Sequence, residues 1–343
     1  MTPTPRSSFA HATLLRRNFR NVLVGAVILP LPIAIFAACS AGAGIAATDL
    51  ANGGSGDAET CRALSIPDAG ACATFEVTVT KACELDASSF SLPSDQCAEL
   101  CGRATFCNVV SGEAQRVRCG SGCPVDGRRY DRLDDRGAPS AETVGAYLAR
   151  MAFFEAASVD AFACLAAELA AHGAPASLVR SCRRARLDEI RHAQMAEAIA
   201  QRHGASVDRT PPAPSEAAPR SLEAIAIENA IEGCVRETFG VVVGMWQAEH
   251  APSADMRAFF SALVDDELRH AALSARIDAW LLSRLSPAAR ARVEAARSTA
   301  LDALGESLVA SEPLEGLGLP SRAQAAALFA AFRASLACAA RAA

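Results

Sequence analysis

"RLDEIRHAQM" occupies positions 186–195 and "LVDDELRHAAL" positions 263–273. Both contain D-E-x-R-H-A, as Asp188-Glu189-Ile190-Arg191-His192-Ala193 and Asp266-Glu267-Leu268-Arg269-His270-Ala271. The chain has only six histidines, and two of them stand in this phrase. Around the second copy, Met256, Phe260, Leu263, Glu267, His270, Ser274, Ile277 and Leu281 step by three and four, the spacing of one helix face. Around the first copy the same face reads Leu178, Cys182, Ala185, Glu189, His192, Ala196 and Ile199. A Glu-x-x-His pair thus interrupts an apolar stripe twice. Ionisable groups on a core-facing stripe are costly unless they are paired or bind a metal. A lone Glu-x-x-His on a helix is ordinarily a solvated pair.

Helical periodicity runs from about 140 onward. It breaks at Gly173-Ala174-Pro175, at "GASVDRTPPAPSEAAPR" (204–220) and at Pro252. The breaks predict helices near 140–171, 176–203, 221–249 and 254–284, followed by two more near 286–308 and 320–342. Connections that are short, long and short predict an all-α four-helix bundle with one long crossover.

Pro175 and Pro252 mark the two tight turns. Counting back 20 residues from each gives Glu155 and Glu232, and counting forward 14 and 15 gives Glu189 and Glu267. Residues equidistant from an antiparallel turn are level, so Glu155 is expected to face Glu189 and His192, and Glu232 to face Glu267 and His270. Glu155 shares a face with Leu148, Met151, Phe162 and Leu169. Glu232 shares one with Ile225, Glu228, Val235, Phe239 and Trp246. Asp160 and Glu237 also match in the repeat, but five residues past a glutamate is about 140° around an α-helix. They read as salt-bridge or supporting groups. Glu228 shares the face of Glu232 and is a candidate for an extra carboxylate ligand.

On these motifs, residues 140–284 resemble the ferritin-like di-iron carboxylate superfamily. The resemblance implies a ferritin-like bundle and a dinuclear centre of two iron (or manganese) ions. Its ligands would be Glu155, Glu189, His192, Glu232, Glu267 and His270. Asp188 and Asp266 would accept from the histidines and orient them. Hard carboxylates with one imidazole per metal suit Fe or Mn.

The N-terminal part is of another kind. Arg6, Arg16, Arg17 and Arg20 precede an uncharged run from Val22 to Ala38, which ends in "IFAACS". Residues 1–39 read as an export signal whose end resembles a lipobox, with Cys39 as the lipidated residue. Phe36 departs from that pattern. "LRRNF" (15–19) also resembles a twin-arginine signal. Residues 40–60 read as a flexible tether. Residues 61–130 hold eight of the thirteen cysteines: Cys61, Cys72, Cys83, Cys97, Cys101, Cys107, Cys119 and Cys123. Few large apolar residues accompany them, so four disulfides are expected to staple a small module. Zinc on Cys97-x3-Cys101 and Cys119-x3-Cys123 is the alternative. Cys164, Cys182, Cys234 and Cys338 lie in predicted helices, as buried hydrophobes or as bundle-locking disulfides, a Cys164–Cys182 bridge among them.

A net charge of −5 gives no sign of nucleic-acid binding. The expected partners are metal ions, O2 or peroxide, and a membrane reached through the lipid anchor, with a homodimer left open. The whole layout resembles ferritin-like lipoproteins of high-GC bacteria, and Ser40 after Cys39, where an aspartate can retain lipoproteins at the inner membrane, favours a cell-envelope location on the periplasmic side of the outer membrane. Three functions fit: an exported oxidoreductase of ferroxidase type, an iron-binding or storage protein without turnover, and a structural envelope protein with a vestigial site.

Overall fold

A computed structural model describes residues 61–64, 74–80, 82–83, 99–101, 106–109, 115–120, 127–130, 133, 141–207, 211, 219–310 and 313–342. The export signal, the tether, Cys39, Cys72, Cys97 and Cys123 lie outside the described residues. Helix dominates what is described. It runs as α1 (Val144–Ala171), α2 (Ala176–Arg202), α3 (Leu222–Glu228), a π-helical segment (Asn229–Glu237), α4 (Thr238–His250), α5 (Ala254–Leu282), α6 (Pro287–Ala310) and α7 (Arg322–Ala342).

Local chemistry explains the boundaries. Thr143, Ser221 and Ser253 cap α1, α3 and α5, each side chain accepting from the backbone N–H three residues on. Gly173 and Gly204 follow α1 and α2 with φ of 70° and 77°, the left-handed conformation that ends helices. Pro175 starts α2 at once, so α1 and α2 form a tight hairpin, and Ala251–Ser253 turns α4 into α5.

The apolar stripes pack as the periodicity predicts. α1 lies against α2, α2 against α5, and α5 against the π segment and α4. One core cluster joins Phe162, Leu169, Leu178, Cys182, Ile225 and Ile277. Another joins Leu148, Met151, Ile199, Met256, Phe260 and Leu263. The glutamates and histidines fall between these two clusters in sequence on every helix, so a polar layer is held between two apolar ones.

The chain from the π segment to the end of α4 is buried almost all round. Its outer side meets Leu301 and Leu304 of α6 and Leu328, Phe329 and Phe332 of α7. The C-terminal helices therefore cover a helix that is apolar on both sides. Gln247 donates to the Leu317 carbonyl (3.1 Å) and ties the α6–α7 connection to the end of α4.

Residues 61–120 contain an antiparallel sheet of β1 (Thr74–Thr78), β2 (Phe106–Val109) and β3 (Arg116–Gly120), in the order β1-β3-β2. Its small core holds Val77, Val79, Leu100, Val117 and four cysteines. Disulfides join Cys61 to Cys83 and Cys101 to Cys119, and Cys107 is disulfide-bonded too. Cross-links thus supplement a core too small to fold on burial alone. Cys101, Cys107 and Cys119 come close enough to suggest a metal group. Their sulfurs are in disulfides, which removes the thiolates a zinc ion needs. Cys164, Cys182 and Cys234 are free, so the Cys164–Cys182 bridge is not formed. The side chain of Cys338 lies outside the described residues. Among the described residues no helix is long and apolar enough to cross a membrane.

Burial pushes the Cys182 and Cys234 thiols up to about 12. Neither is expected to react with an alkylating reagent at pH 8 in the native chain. Denaturation without reductant should expose both, while Cys61, Cys83, Cys101 and Cys119 stay unlabelled. Mass spectrometry of the labelled peptides checks this, and labelling of Cys101 or Cys119 before reduction contradicts the pairing.

Candidate metal centre

Six side chains meet in the polar layer as two overlapping groups. One is Glu155 of α1, Glu189 and His192 of α2, and Glu267 of α5. The other is Glu189, Glu237 of the π segment, Glu267 and His270. Within each group one ligand-type atom per residue lies within 4.8 Å of the others. Glu189 and Glu267 belong to both groups and face both imidazoles. His192 Nδ1 is 3.0 Å from Glu267 Oε1, 3.5 Å from Glu189 Oε2 and 3.6 Å from Glu155 Oε2. His270 Nδ1 is 2.9 Å from Glu189 Oε1, 3.5 Å from Glu267 Oε2 and 3.8 Å from Glu237 Oε1.

The far nitrogens of the two rings meet aspartates, and the pairing is crossed. His192 Nε2 donates to Asp266 Oδ2 at 3.2 Å, and His270 Nε2 lies 3.6 Å from Asp188 Oδ2. Each copy of the repeated phrase thus orients the histidine of the other. The arginines cross too. Arg191 pairs with Asp266, and Arg269 with Asp188 (3.0 Å) and with Asp266. The Asp-Glu-x-Arg-His order supplies, from one helical turn, an inward Glu and His and a flanking Asp and Arg for the neighbouring helix. With an aspartate on Nε2, both rings turn Nδ1 toward the glutamates, the orientation metal-binding imidazoles adopt.

Five of the six expected ligands, Glu155, Glu189, His192, Glu267 and His270, therefore come together. Glu232 stands outside both groups and Glu237 stands inside one. Glu232 Oε1 accepts from Arg236 Nη1 (3.0 Å), and its Oε2 accepts from the Arg129 backbone N–H (3.4 Å). The reason is helical winding. The 140° separation of Glu232 and Glu237 holds for an α-helix. Asn229–Glu237 is wound as a π-helix, whose bonds join residues five apart. Such winding turns each residue through a smaller angle than an α-helix does and so shifts the face that follows, which brings Glu237 to the layer. Thr238 Oγ1 donates to the Gly233 carbonyl five residues back (2.7 Å) and supports the widened turn. Glu228 is also outside both groups, its Oε2 held 2.5 Å from Arg220 Nη1. Asp160 joins neither group.

The layer is electrostatically loaded. Burial, reinforced by the charge of Glu189, pushes the Glu155 carboxyl well above the usual range. Burial likewise lifts Glu237 to about 8, against the pull of Arg128 and His270. Burial opposes charge on His192, but the carboxylates of Glu155, Glu189 and Glu267 that face its Nδ1 prevail and raise it to about 12. His270 is also raised well above its ordinary value, Glu267 being the largest influence against burial. Glu189 and Glu267 move down despite burial, because both imidazoles lie beside them. The protein thus balances crowded carboxylates with protons on the imidazoles and on the outer glutamates.

The residues could hold a metal ion. Glu155 Oε2, Glu189 Oε2, Glu237 Oε1, His192 Nδ1 and His270 Nδ1 are buried and have no aligned hydrogen-bond partner. Such orphaned atoms are rare in native interiors. All are of ligand type and converge on one place, and four carboxylates with two imidazoles suit hard first-row ions such as Fe or Mn. Glu267, with a fifth of its side chain exposed, is the most open of the six. A pocket of ≈ 30 Å³ ends at Glu155, Glu237 and Glu267, with walls of Met151, Gly240, Val241, Gly244, Phe260 and Val264. It has room for about one water-sized molecule.

Residues that periodicity could not supply complete the layer. Arg128 and Arg129 lie in a segment without helical pattern. Glu237 was legible only as a repeat match. No protein-family model, curated protein or solved structure matches the chain.

The protonation pattern gives the metal-free chain a definite pH response. His192 holds its proton up to about 12, and Glu237 up to about 8, whereas both groups release theirs earlier when unfolded. Between pH 5 and 8 the folded state then binds more protons than the unfolded one, and stability falls as pH rises, by about 1.4 kcal/mol per pH unit for each proton held in excess. The melting temperature of the chelator-treated protein should therefore drop from pH 5 to pH 8. A melting temperature that rises over this range contradicts the arrangement.

Proposed function

We propose that the helical part of this chain is a ferritin-like four-helix bundle that binds a dinuclear iron or manganese centre and carries out oxidoreductase chemistry of ferroxidase type with O2 or peroxide. The observation that carries the reading is the pair of overlapping ligand groups sharing Glu189 and Glu267. Two hairpins joined by one long connection, with a Glu-x-x-His on the second helix of each, are the layout in which bundles build such centres. Glu155 and His192 would help to hold one ion and Glu237 and His270 the other, and Glu189 and Glu267, common to both groups, would serve both positions.

When bound, the metal pair supplies the electrons exchanged with O2 or peroxide. The chain does the rest. Glu189 and Glu267 set the spacing of the two positions. Asp266 and Asp188 keep the imidazoles turned inward. The pocket walls beside Glu155, Glu237 and Glu267 are largely apolar and would limit bulk water at the carboxylates. The same residues would serve an iron-binding protein, and kinetics separates the two.

The N-terminal sequence supports an envelope protein anchored through lipid on Cys39, on the periplasmic side of the outer membrane. Cys39→Ala should release the chain from the membrane fraction and change its electrophoretic mobility, and unchanged fractionation and mobility would remove the anchor from this reading.

Metal analysis tests the centre. The full chain reconstituted with Fe(II) or Mn(II) should hold two ions. Because the metal binds only the folded state, saturation at a thousand times its dissociation constant should stabilise by about 4 kcal/mol. Glu237→Ala should lower the content to one ion or none, and Glu232→Ala should keep two. Absence of stoichiometric metal in the wild-type chain, or loss of metal on changing Glu232 but not Glu237, would defeat the assignment.

A further inference from the structure

Arg128 belongs to none of the helices, yet it is only 1% exposed and lies beside the polar layer. Its Nη1 is 3.6 Å from Glu237 Oε2 and 3.5 Å from Ser274 Oγ. Ser274 Oγ in turn lies 3.3 Å from Glu237 Oε2. Nη2 donates to Asn229 Oδ1 (3.3 Å) and is 3.9 Å from Glu228 Oε1. The guanidinium also stands 5.5 Å from the centre of the Phe162 ring. The backbone is held as well. The Arg128 carbonyl accepts from Ser158 Oγ (3.0 Å), and the next N–H donates to Glu232 Oε2 (3.4 Å). Gly233 leaves the space, since a Cβ there would come within 2.6 Å of Nη1.

This charge is distributed unequally. Glu228 has a closer partner in Arg220 (2.5 Å), which leaves Arg128 chiefly to Glu237. Glu155 occupies the matching place in the other group, and among the described residues its ion pairs run to His192 alone. Glu189 and Glu267 are common to both groups. The two halves of the layer therefore have like ligands, but Glu237 has a guanidinium within 4 Å whereas the ion pair of Glu155 is to an imidazole, and a guanidinium does not deprotonate in a protein.

We infer that Arg128 is a positioning residue that holds Glu237 in the layer and makes the two metal positions unequal, the His192 side binding the first divalent ion more tightly. This rests on the metal-site reading above. The sign is electrostatic: a fixed cation beside Glu237 opposes a second cation there. At the effective dielectric of a partly buried site, a unit charge several Å away changes divalent-ion affinity by about tenfold or more.

The test is a Mn(II) titration of the full chain, followed by electron paramagnetic resonance. Two steps are expected, separated at least about tenfold. Glu155→Gln should remove the tight step and Glu237→Gln the weak one. The opposite order overturns the inference without any change at Arg128. Arg128→Gln keeps a donor and removes the charge, so it should bring the weak step toward the tight one, while Arg128→Lys should keep them apart. An unchanged ratio in Arg128→Gln also overturns it.

A metal-free arm separates this inference from the metal-site reading. In the chelator-treated chain, Arg128→Gln should lower the melting temperature, and in a Glu237→Ala background the same change should lower it by less than half as much. Additive losses sink the positioning role whether or not metal binds. A wild-type chain that takes up no Mn(II) sinks the metal-site reading and the affinity difference, while the smaller loss in the metal-free cycle would still uphold the hold of Arg128 on Glu237.

Discussion

Four glutamates and two histidines share one buried layer, and the helical part of the molecule is arranged around that load. Ionised carboxylates in an apolar interior repel one another and lose their hydration. They persist only if cations reach them from within, as protonated imidazoles, as Arg128, or as metal ions. The layer must also sit at one height in every contributing helix. The tight turns at Gly173–Pro175 and Ala251–Ser253 set that height, because each fixes the register of one hairpin. The apolar clusters on either side then close the layer off.

The crossed aspartates turn two hairpins into one unit. Asp188 and Asp266 are 1% and 6% exposed, and each meets groups from both α2 and α5. Arg191 and Arg269 complete the exchange. Changing Asp266 would free His192 and take one partner each from Arg191 and Arg269, and changing Asp188 would do the same to His270 and to Arg184, Arg191 and Arg269. A repeated phrase is therefore what this contact requires: with α2 and α5 packed face to face, the same residue order on each supplies what the other lacks.

Much of this was legible in the chain. Six helices, their turns and the buried faces follow from spacing by three and four and from Gly and Pro punctuation. The inward positions of Glu155, Glu189, His192, Glu267 and His270 follow from counting out from the turns. The aspartate role was legible in kind, but its crossing was not, because periodicity places residues on faces and says nothing of which helix lies opposite. The part played by α6 and α7 was hidden too. Its sign was "TFGVVVGMW" (238–246), apolar on every side, which asks for cover on two faces.

Glu237 and Arg128 escaped for a shared physical reason. Face-counting assumes one winding throughout, and the chain departs from it between Asn229 and Glu237. The wider winding carries Glu237 to the layer in place of Glu232, and the same segment holds a gap at Gly233. Gly233, without a Cβ, keeps that gap open, and the Arg128 side chain fills it from outside the helix. Winding, glycine and arginine then form one device. An α-helical turn would return Glu237 to a position about 140° from Glu232. A side chain at 233 would push out the guanidinium, and without the guanidinium Glu237 would lose its nearest permanent cation. Each part is unfavourable alone: a π turn gives up regular hydrogen bonding, a mid-helix glycine weakens the helix, and a buried arginine needs partners. Together they satisfy one another, and the glutamate they hold is the one that periodicity assigns elsewhere.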